Sequence, residues 1–208
     1  IPTSSLESFF AGKVFSRTTD PQSSLVDVGL ATAAAPTYFP AVQPVDSERS
    51  YMDGGLWANN PSLLAVLHAQ HHHKTHLNEI RLLSVGTGMR PNGTTASEAN
   101  RLRLLSPDAV RFVLEFLMST QAWFSDTYTE ILLSHEHFAR VNPVLPEPVR
   151  LDDIKRALRV LPAVAEVDYE KNKTVLLHLI RRWASEVREV VGPSTLRAEV
   201  SEPAFTRT

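Results

Sequence analysis

The chain has 208 residues, 21 basic and 23 acidic side chains, a formal net charge of −2 and 43% hydrophobic residues. That balance suits one globular domain and lacks the basic excess of a nucleic-acid binder, so no nucleic-acid partner is expected. With no cysteine, disulfides and thiolate metal sites are excluded and the compartment stays open.

From Ile1 to Asp20 short apolar pieces mix with turn residues, and Gly12-Lys13-Val14-Phe15 reads as a hairpin-like turn into a strand. Asp20-Pro21-Gln22-Ser23-Ser24 is a loop, after which Leu25, Val28 and Leu30 recur at helical spacing. Ala31, Ala33, Ala34 and Ala35 would let this helix approach a neighbour closely. Pro36 should end it, because the residue before a proline disfavours helical backbone. The longest uncharged stretch, Val28 to Val45, is interrupted by Pro36, Pro40 and Pro44. A spanning helix needs about 20 mainly apolar residues, so this reads as buried loop and short helix, with any lipid contact made from the surface.

The chain then reaches Tyr51-Met52-Asp53-Gly54-Gly55-Leu56-Trp57-Ala58-Asn59-Asn60-Pro61. Here an acidic residue ends a predicted strand, two glycines permit a close turn, Asn60 suits a helix cap and Pro61 a first helical position. Two readings of Asp53 stay open: a chemical group on a rigid scaffold, or a turn aspartate that only caps backbone amides.

Leu63, Leu64, Val66 and Leu67 give the next helix an apolar face, and His68, His71, His72, His73 and His76 cluster at its end. His68, His72 and His76 could share one face, as metal-ligand pairs do, but no carboxylate or cysteine stands at ligand spacing. Protonated histidine also suits a helix C-terminus, and no metal is expected.

Glu79 to Val85 is a nearly continuous apolar run. It predicts an inner strand parallel to the one ending at Asp53, the two joined as a βαβ unit. Gly86-Thr87-Gly88 ends that strand but is too short for a phosphate-binding loop. Asn92-Gly93 marks a turn, and the glycosylation-like triplets at Asn92 and Asn172 read as chance matches.

Ser106 should cap a long helix with the stripe Val110, Val113/Leu114, Leu117, Gln121, Phe124, Tyr128, Ile131. Core packing is the expectation for it. Phe112, Phe116 and Trp123 add a second reading, in which part covers an acyl-chain channel or touches lipid. Arg140-Val141-Asn142-Pro143 reads as a short strand entering a turn. Asp152 should cap a helix carrying Ile154, Leu158 and Leu161. A last helix carries Val175, Leu176, Leu179, Ile180, Trp183 and Val187, before a polar tail from Pro193.

Four motifs occur in order: Ala33-Ala34-Ala35-Pro36-Thr37-Tyr38-Phe39-Pro40, Asp53-Gly54-Gly55, Asn59-Asn60-Pro61 and Ser84-Val85-Gly86-Thr87-Gly88. Together the stretch from about Thr32 to Gly88 resembles a patatin-like phospholipase. The resemblance implies an α/β fold in three layers, with a mainly parallel sheet flanked by helices. It implies hydrolysis of lipid or phospholipid acyl esters by a serine–aspartate dyad, with no cofactor and with room for peripheral membrane contact. Asp53 matches the dyad aspartate, and Gly54 and Gly55 support it. Tyr38 and Phe39 would be apolar walls near the acyl pocket, with core packing the favoured alternative for Phe39.

One departure matters. That family's nucleophile lies in Gly-x-Ser-x-Gly, yet the eight glycines here, at 12, 29, 54, 55, 86, 88, 93 and 192, include no pair four apart. We therefore expect a C-terminal portion of a longer acyl hydrolase, whose upstream half carries the serine, and an inert isolated chain with uncovered apolar surface. Residues 1–97 would belong to the hydrolase domain, 98–192 to a helical extension and 193–208 to a flexible tail. The setting we carry is cytoplasmic, with contact at the membrane periphery. The alternatives are a non-catalytic interaction module on the same scaffold and a histidine-rich metal-binding protein.

Overall fold

A computed structural model of the chain describes residues 1–6, 10–36, 38–44, 47–89, 97, 107–150 and 152–191. The Ser106 cap, the Asn92-Gly93 turn and the tail from 193 lie outside them. Two compact units emerge, residues 1–86 with 92–141, and residues 87–91 with 142–208.

In the first unit, β1 (Pro2–Leu6), β2 (Phe10–Val14) and β3 (Tyr51–Asp53) form an antiparallel sheet in the order β2-β1-β3. Gly12 therefore sits inside β2, opposite Ser4, and not at a turn. Ser4 and Ser5 lie within β1. Between β2 and β3 runs α1 (Leu25–Thr32), capped by Ser24, whose hydroxyl accepts the Val26 N–H. It ends at Thr32, a few residues short of Pro36. Val28 and Ala31 of α1 pack with Phe15 and Tyr51, whose rings meet edge-on at 5.2 Å. Burying that cluster joins the sheet to the helix that leads into the alanine run.

After β3 come a one-turn helix, α2 (Gly55–Ala58), and α3 (Ser62–His73). Lys74 adopts a left-handed φ of 56° and stops α3, so His76 lies beyond the helix. Its N–H is taken by Glu79 at the next 3-10 turn, Leu77–Glu79. The expected shared face of three histidines is thus reduced to His68 and His72.

The strand expected over Glu79–Val85 is shorter, β4 (Leu82–Val85), and its partner is β5 (Phe138–Val141), in parallel. β4 stands at the edge of a two-stranded sheet, with no ladder to β3. The βαβ reading and the mainly parallel sheet are corrected accordingly: among the described residues β3 is antiparallel to β1, and the parallel ladder is the two-stranded β4–β5. An apolar run specifies burial, which α3 gives β4 on one face through Val66, but not which strand pairs with it. The α/β class stands.

The long helix is α4 (Pro107–Leu132), and it packs on α2 and α3. The face that meets them is polar and small. Ser125 is buried and its hydroxyl accepts the Leu63 N–H at 3.1 Å, and Thr129 is fully buried beside it. The apolar stripe is turned outward, with Val110, Val113, Leu117, Phe124, Tyr128 and Ile131 between 44% and 70% exposed. The core-packing expectation is overturned here, because hydrogen bonding to the start of α3 decides which side of α4 faces in.

In the second unit, the Gly88 N–H donates to Asn142 Oδ1 at 2.9 Å and Met89 bridges Val144 in parallel. A single helix, α5 (Ile154–Val191), replaces the two expected from sequence. Its start is capped by Asp153, which accepts the Arg156 N–H, while Asp152 pairs with Arg150. Among the described residues no helix is long and apolar enough to cross a membrane.

Candidate active site

Asp53 is the last residue of β3, and the sheet fixes its backbone. Its N–H donates to Ala34 O at 3.0 Å, and its carbonyl accepts the Ser4 hydroxyl at 3.1 Å. The alanine run thus lies against Asp53, and Ala34 is buried. The carboxylate turns back on its own chain: Oδ1 accepts the Gly55 N–H at 2.6 Å. Among the described residues Oδ2 has no hydrogen-bond partner, and no serine hydroxyl bonds to either oxygen.

Both glycines are required by space and not by torsion. A Cβ on Gly54 would lie 2.5 Å from the Pro2 carbonyl carbon and closer still to its oxygen. A Cβ on Gly55 would stand 2.9 Å from Asp53 Oδ1, the atom its own N–H holds. The turn therefore nests against β1. Trp57 of α2 completes that contact, its indole N–H donating to Thr3 O at 2.9 Å.

The expected cap shifts by one residue: the N-cap of α3 is Pro61 and its first helical residue is Ser62. Asn60, one residue earlier, accepts at Oδ1 from the Ser62 N–H at 3.2 Å and from the Ser62 hydroxyl at 2.6 Å. Gln121 of α4 clamps the Asn60 backbone, accepting its N–H at 3.1 Å and donating to its carbonyl at 3.4 Å. The path continues from Ser62 to the Ser84 hydroxyl on β4 at 2.7 Å. From there it reaches Arg140 of β5, whose Nη1 donates to Ser84 at 2.6 Å. Arg140 Nε faces Asp126 of α4 at 3.5 Å. This buried polar chain ties the loop after Asp53 to α4 and both parallel strands. Gln121 had been placed in the apolar stripe, and Ser84 and Arg140 had no assigned role. The only sequence signal was polar residues inside apolar runs.

Asp126 is the perturbed member. Burial raises its carboxyl above the ordinary 3.8; the Arg140 charge opposes this and Glu130 adds to it. A folded-state value above the unfolded one means the native state holds the proton more tightly. That stabilisation is present below 3.8 and is lost as pH rises through the raised value. Asp126→Asn should therefore flatten the fall in the urea midpoint over that window. An unchanged slope would remove Asp126 as its source.

Tyr38 and Phe39 are 45% and 59% exposed, so Phe39 is not a core residue. They lie in a turn and a bend after the alanine run, their N–H groups both donating to Ala35 O. Of the histidines, His68 and His72 stack with ring centroids 4.3 Å apart, and His73 lies 6.0 Å from His68. Burial, then the neighbouring His72 and His73, push His68 below its usual value. Among the described residues no group of three or more histidine, aspartate or glutamate side chains is placed to hold a metal ion. A cavity of about 340 Å³ lies beside Phe15, Leu64, Ala65 and His68, and Asp53 is not part of its lining.

The chain is 40% identical over 73 residues to a "cGAMP-activated phospholipase" of Vibrio cholerae serotype O1, covering 33% of this chain and 21% of the relative. It is 38% identical over 74 residues to a protein of the same name from Escherichia coli (strain TW11681), covering 34% and 21%. The matched part is thus about a fifth of the length of either relative. No solved structure matches the chain. Residues 1–66, which hold β1 to β3, the alanine run and the Asp53 turn, match the patatin-like phospholipase family.

Proposed function

We propose that the chain contributes the aspartate of a patatin-type serine–aspartate dyad acting on acyl esters of lipids or phospholipids, with the serine supplied by a Gly-x-Ser-x-Gly segment outside these 208 residues. The observation that carries this is the state of the Asp53 carboxylate. One oxygen is fixed by the Gly55 N–H at 2.6 Å, and the other has no hydrogen-bond partner among the described residues, at the end of a strand. A general base needs that combination of fixed orientation and a free lone pair.

In the reaction the free oxygen takes the serine hydroxyl proton as Oγ attacks the ester carbonyl carbon. The tetrahedral oxyanion collapses, the C–O bond to the alcohol breaks, and the proton passes to the departing oxygen. Water then attacks the acyl-enzyme with Asp53 again as base, releasing the fatty acid and regenerating the serine. A carboxylate is a weak base at neutral pH, so the rate depends on placement and on oxyanion stabilisation. Tyr38 and Phe39 are carried as acyl-contacting side chains, which their exposure permits.

A serine-directed fluorophosphonate tests the assignment. The 208-residue chain should remain unlabelled and release no fatty acid from phospholipid, while the protein extended upstream through its Gly-x-Ser-x-Gly segment should label at that serine. Hydrolysis by the 208-residue chain, lost on mutating one of its own serines, would move the nucleophile into the chain and overturn the proposal.

A further inference from the structure

Strand β1 carries two hydroxyls turned into the protein without a hydrogen bond. Thr3 is fully buried and Ser5 nearly so, and neither Thr3 Oγ1 nor Ser5 Oγ has a partner among the described residues. Alternate residues of a strand share a face, so both hydroxyls lie on one side of the sheet. Their neighbours on β3 differ: Ser5 stands opposite Tyr51, and Thr3 stands opposite Asp53. Directly opposed residues of an antiparallel pair point to the same face with Cβ atoms about 5 Å apart, which brings a hydroxyl within reach of a carboxylate. The main chain here is fixed from both sides. Pro2 O accepts the Thr32 hydroxyl at 2.8 Å, and Thr3 O accepts the Trp57 indole N–H at 2.9 Å. Buried hydroxyls are ordinarily bonded, and departures from such rules gather at functional sites.

We propose that Thr3 is a positioning residue for the Asp53 base, its hydroxyl donating to Oδ2 in the working enzyme; the proposal rests on the dyad reading above. A carboxylate turns about a terminal torsion that is broad and two-fold. The Gly55 N–H holds only Oδ1, which leaves Oδ2 free to swing. A second donor at Oδ2 pins the carboxylate plane. Each carboxylate oxygen has room for two hydrogen bonds, so Oδ2 keeps a lone pair for the serine proton. Threonine suits this task because its branched Cβ makes χ1 stiff. The other hydroxyls of β1 do not compete: Ser4 is committed to the Asp53 carbonyl, and Ser5 has Tyr51 opposite it.

A mutant cycle in the protein extended through its Gly-x-Ser-x-Gly segment decides this. Thr3→Val keeps the shape and removes the donor. It should lower kcat by about tenfold to 100-fold, the cost of a loosely placed catalytic group, with KM within about twofold of the parent. Thr3→Ala should give the same fall, so the result does not depend on how valine packs. Thr3→Ser keeps a hydroxyl and should restore kcat to within about threefold of the parent. In an Asp53→Asn background, Thr3→Val should change kcat by less than about twofold, because no base is left to position. Ser5→Ala removes the other unpartnered hydroxyl of the same strand face and should leave kcat within about twofold of the parent. Urea midpoints separate the alternatives, since a merely structural Thr3 would lose activity only in step with stability. Parent-like kcat in Thr3→Val, with Asp53→Asn inactive, would overturn the positioning role and leave the dyad reading standing. A loss that persists undiminished in the Asp53→Asn background would place the action of the hydroxyl elsewhere and overturn it too. Near-normal turnover in Asp53→Asn would sink the dyad reading, and the positioning role with it.

Discussion

Asp53→Asn in the protein extended through its serine segment should lower kcat for ester hydrolysis by about 10³-fold, the middle of the range for removing a general base. The substitution is nearly isosteric, and each contact that positions residue 53 survives it. The N–H bond to Ala34 O and the bond from the Ser4 hydroxyl belong to the backbone. The amide oxygen of asparagine can still accept the Gly55 N–H. What changes is the second oxygen, replaced by an NH₂ that donates and cannot take a proton. KM should therefore stay within a few-fold of the parent while kcat falls. Fluorophosphonate labelling should slow in parallel, because the serine loses its base before any substrate is involved. Near-normal turnover in Asp53→Asn would return Asp53 to the role of a turn residue holding one amide.

The elements around Asp53 were legible because their signals are local. A strand end, a glycine pair, an asparagine before a proline and an alanine run each have a short-range cause, and all four meet at this turn. Partners were not legible. Periodicity marks a face of α4 as apolar, yet that face is turned outward while Gln121, Ser125 and Thr129 face the α2–α3 junction. The same limit applies to β4, whose composition asks for neighbours on both edges when one strand pairs with it among the described residues. Two helices were expected where one 38-residue helix, α5, runs through with Pro162 inside it. Polar residues in apolar surroundings, Ser84 and Arg140 among them, became interpretable only once their hydrogen bonds were known.

The uncovered α4 stripe and β4 face have a common consequence. Exposed apolar side chains such as these recruit other molecules. The Asp53 turn is different in kind, since its supports lie within residues 1–141: β1 beneath it, the alanine run beside it and α4 behind Asn60. The shape of the Asp53 turn thus rests on contacts made among these described residues.

Gly54→Ala should be the most destabilising single-methyl change in the turn, by about 3 kcal/mol, at the upper end of the cost of overpacking. Gly54 has φ −68° and ψ −18°, an ordinary right-handed conformation, so alanine suffers no torsional penalty there. The cost is steric. The added methyl meets the Pro2 carbonyl, and a backbone group cannot rotate away as a side chain could. Relief requires β1 to part from the turn, and the same strand anchors Asp53 through Ser4 and Trp57 through Thr3. Activity of the extended protein should therefore fall with stability. Gly29→Ala is the matched control, because nothing lies within 4 Å of its added Cβ and Gly29 sits inside helix α1. Alanine's better helix propensity should make that change neutral or stabilising by up to about 1 kcal/mol. Urea titrations of the two variants in the extended protein should move the midpoint in opposite directions or leave Gly29→Ala unmoved. Equal midpoints would mean that the turn does not rest on the Pro2 carbonyl, and the steric account of the Asp53-Gly54-Gly55 motif would fall with it.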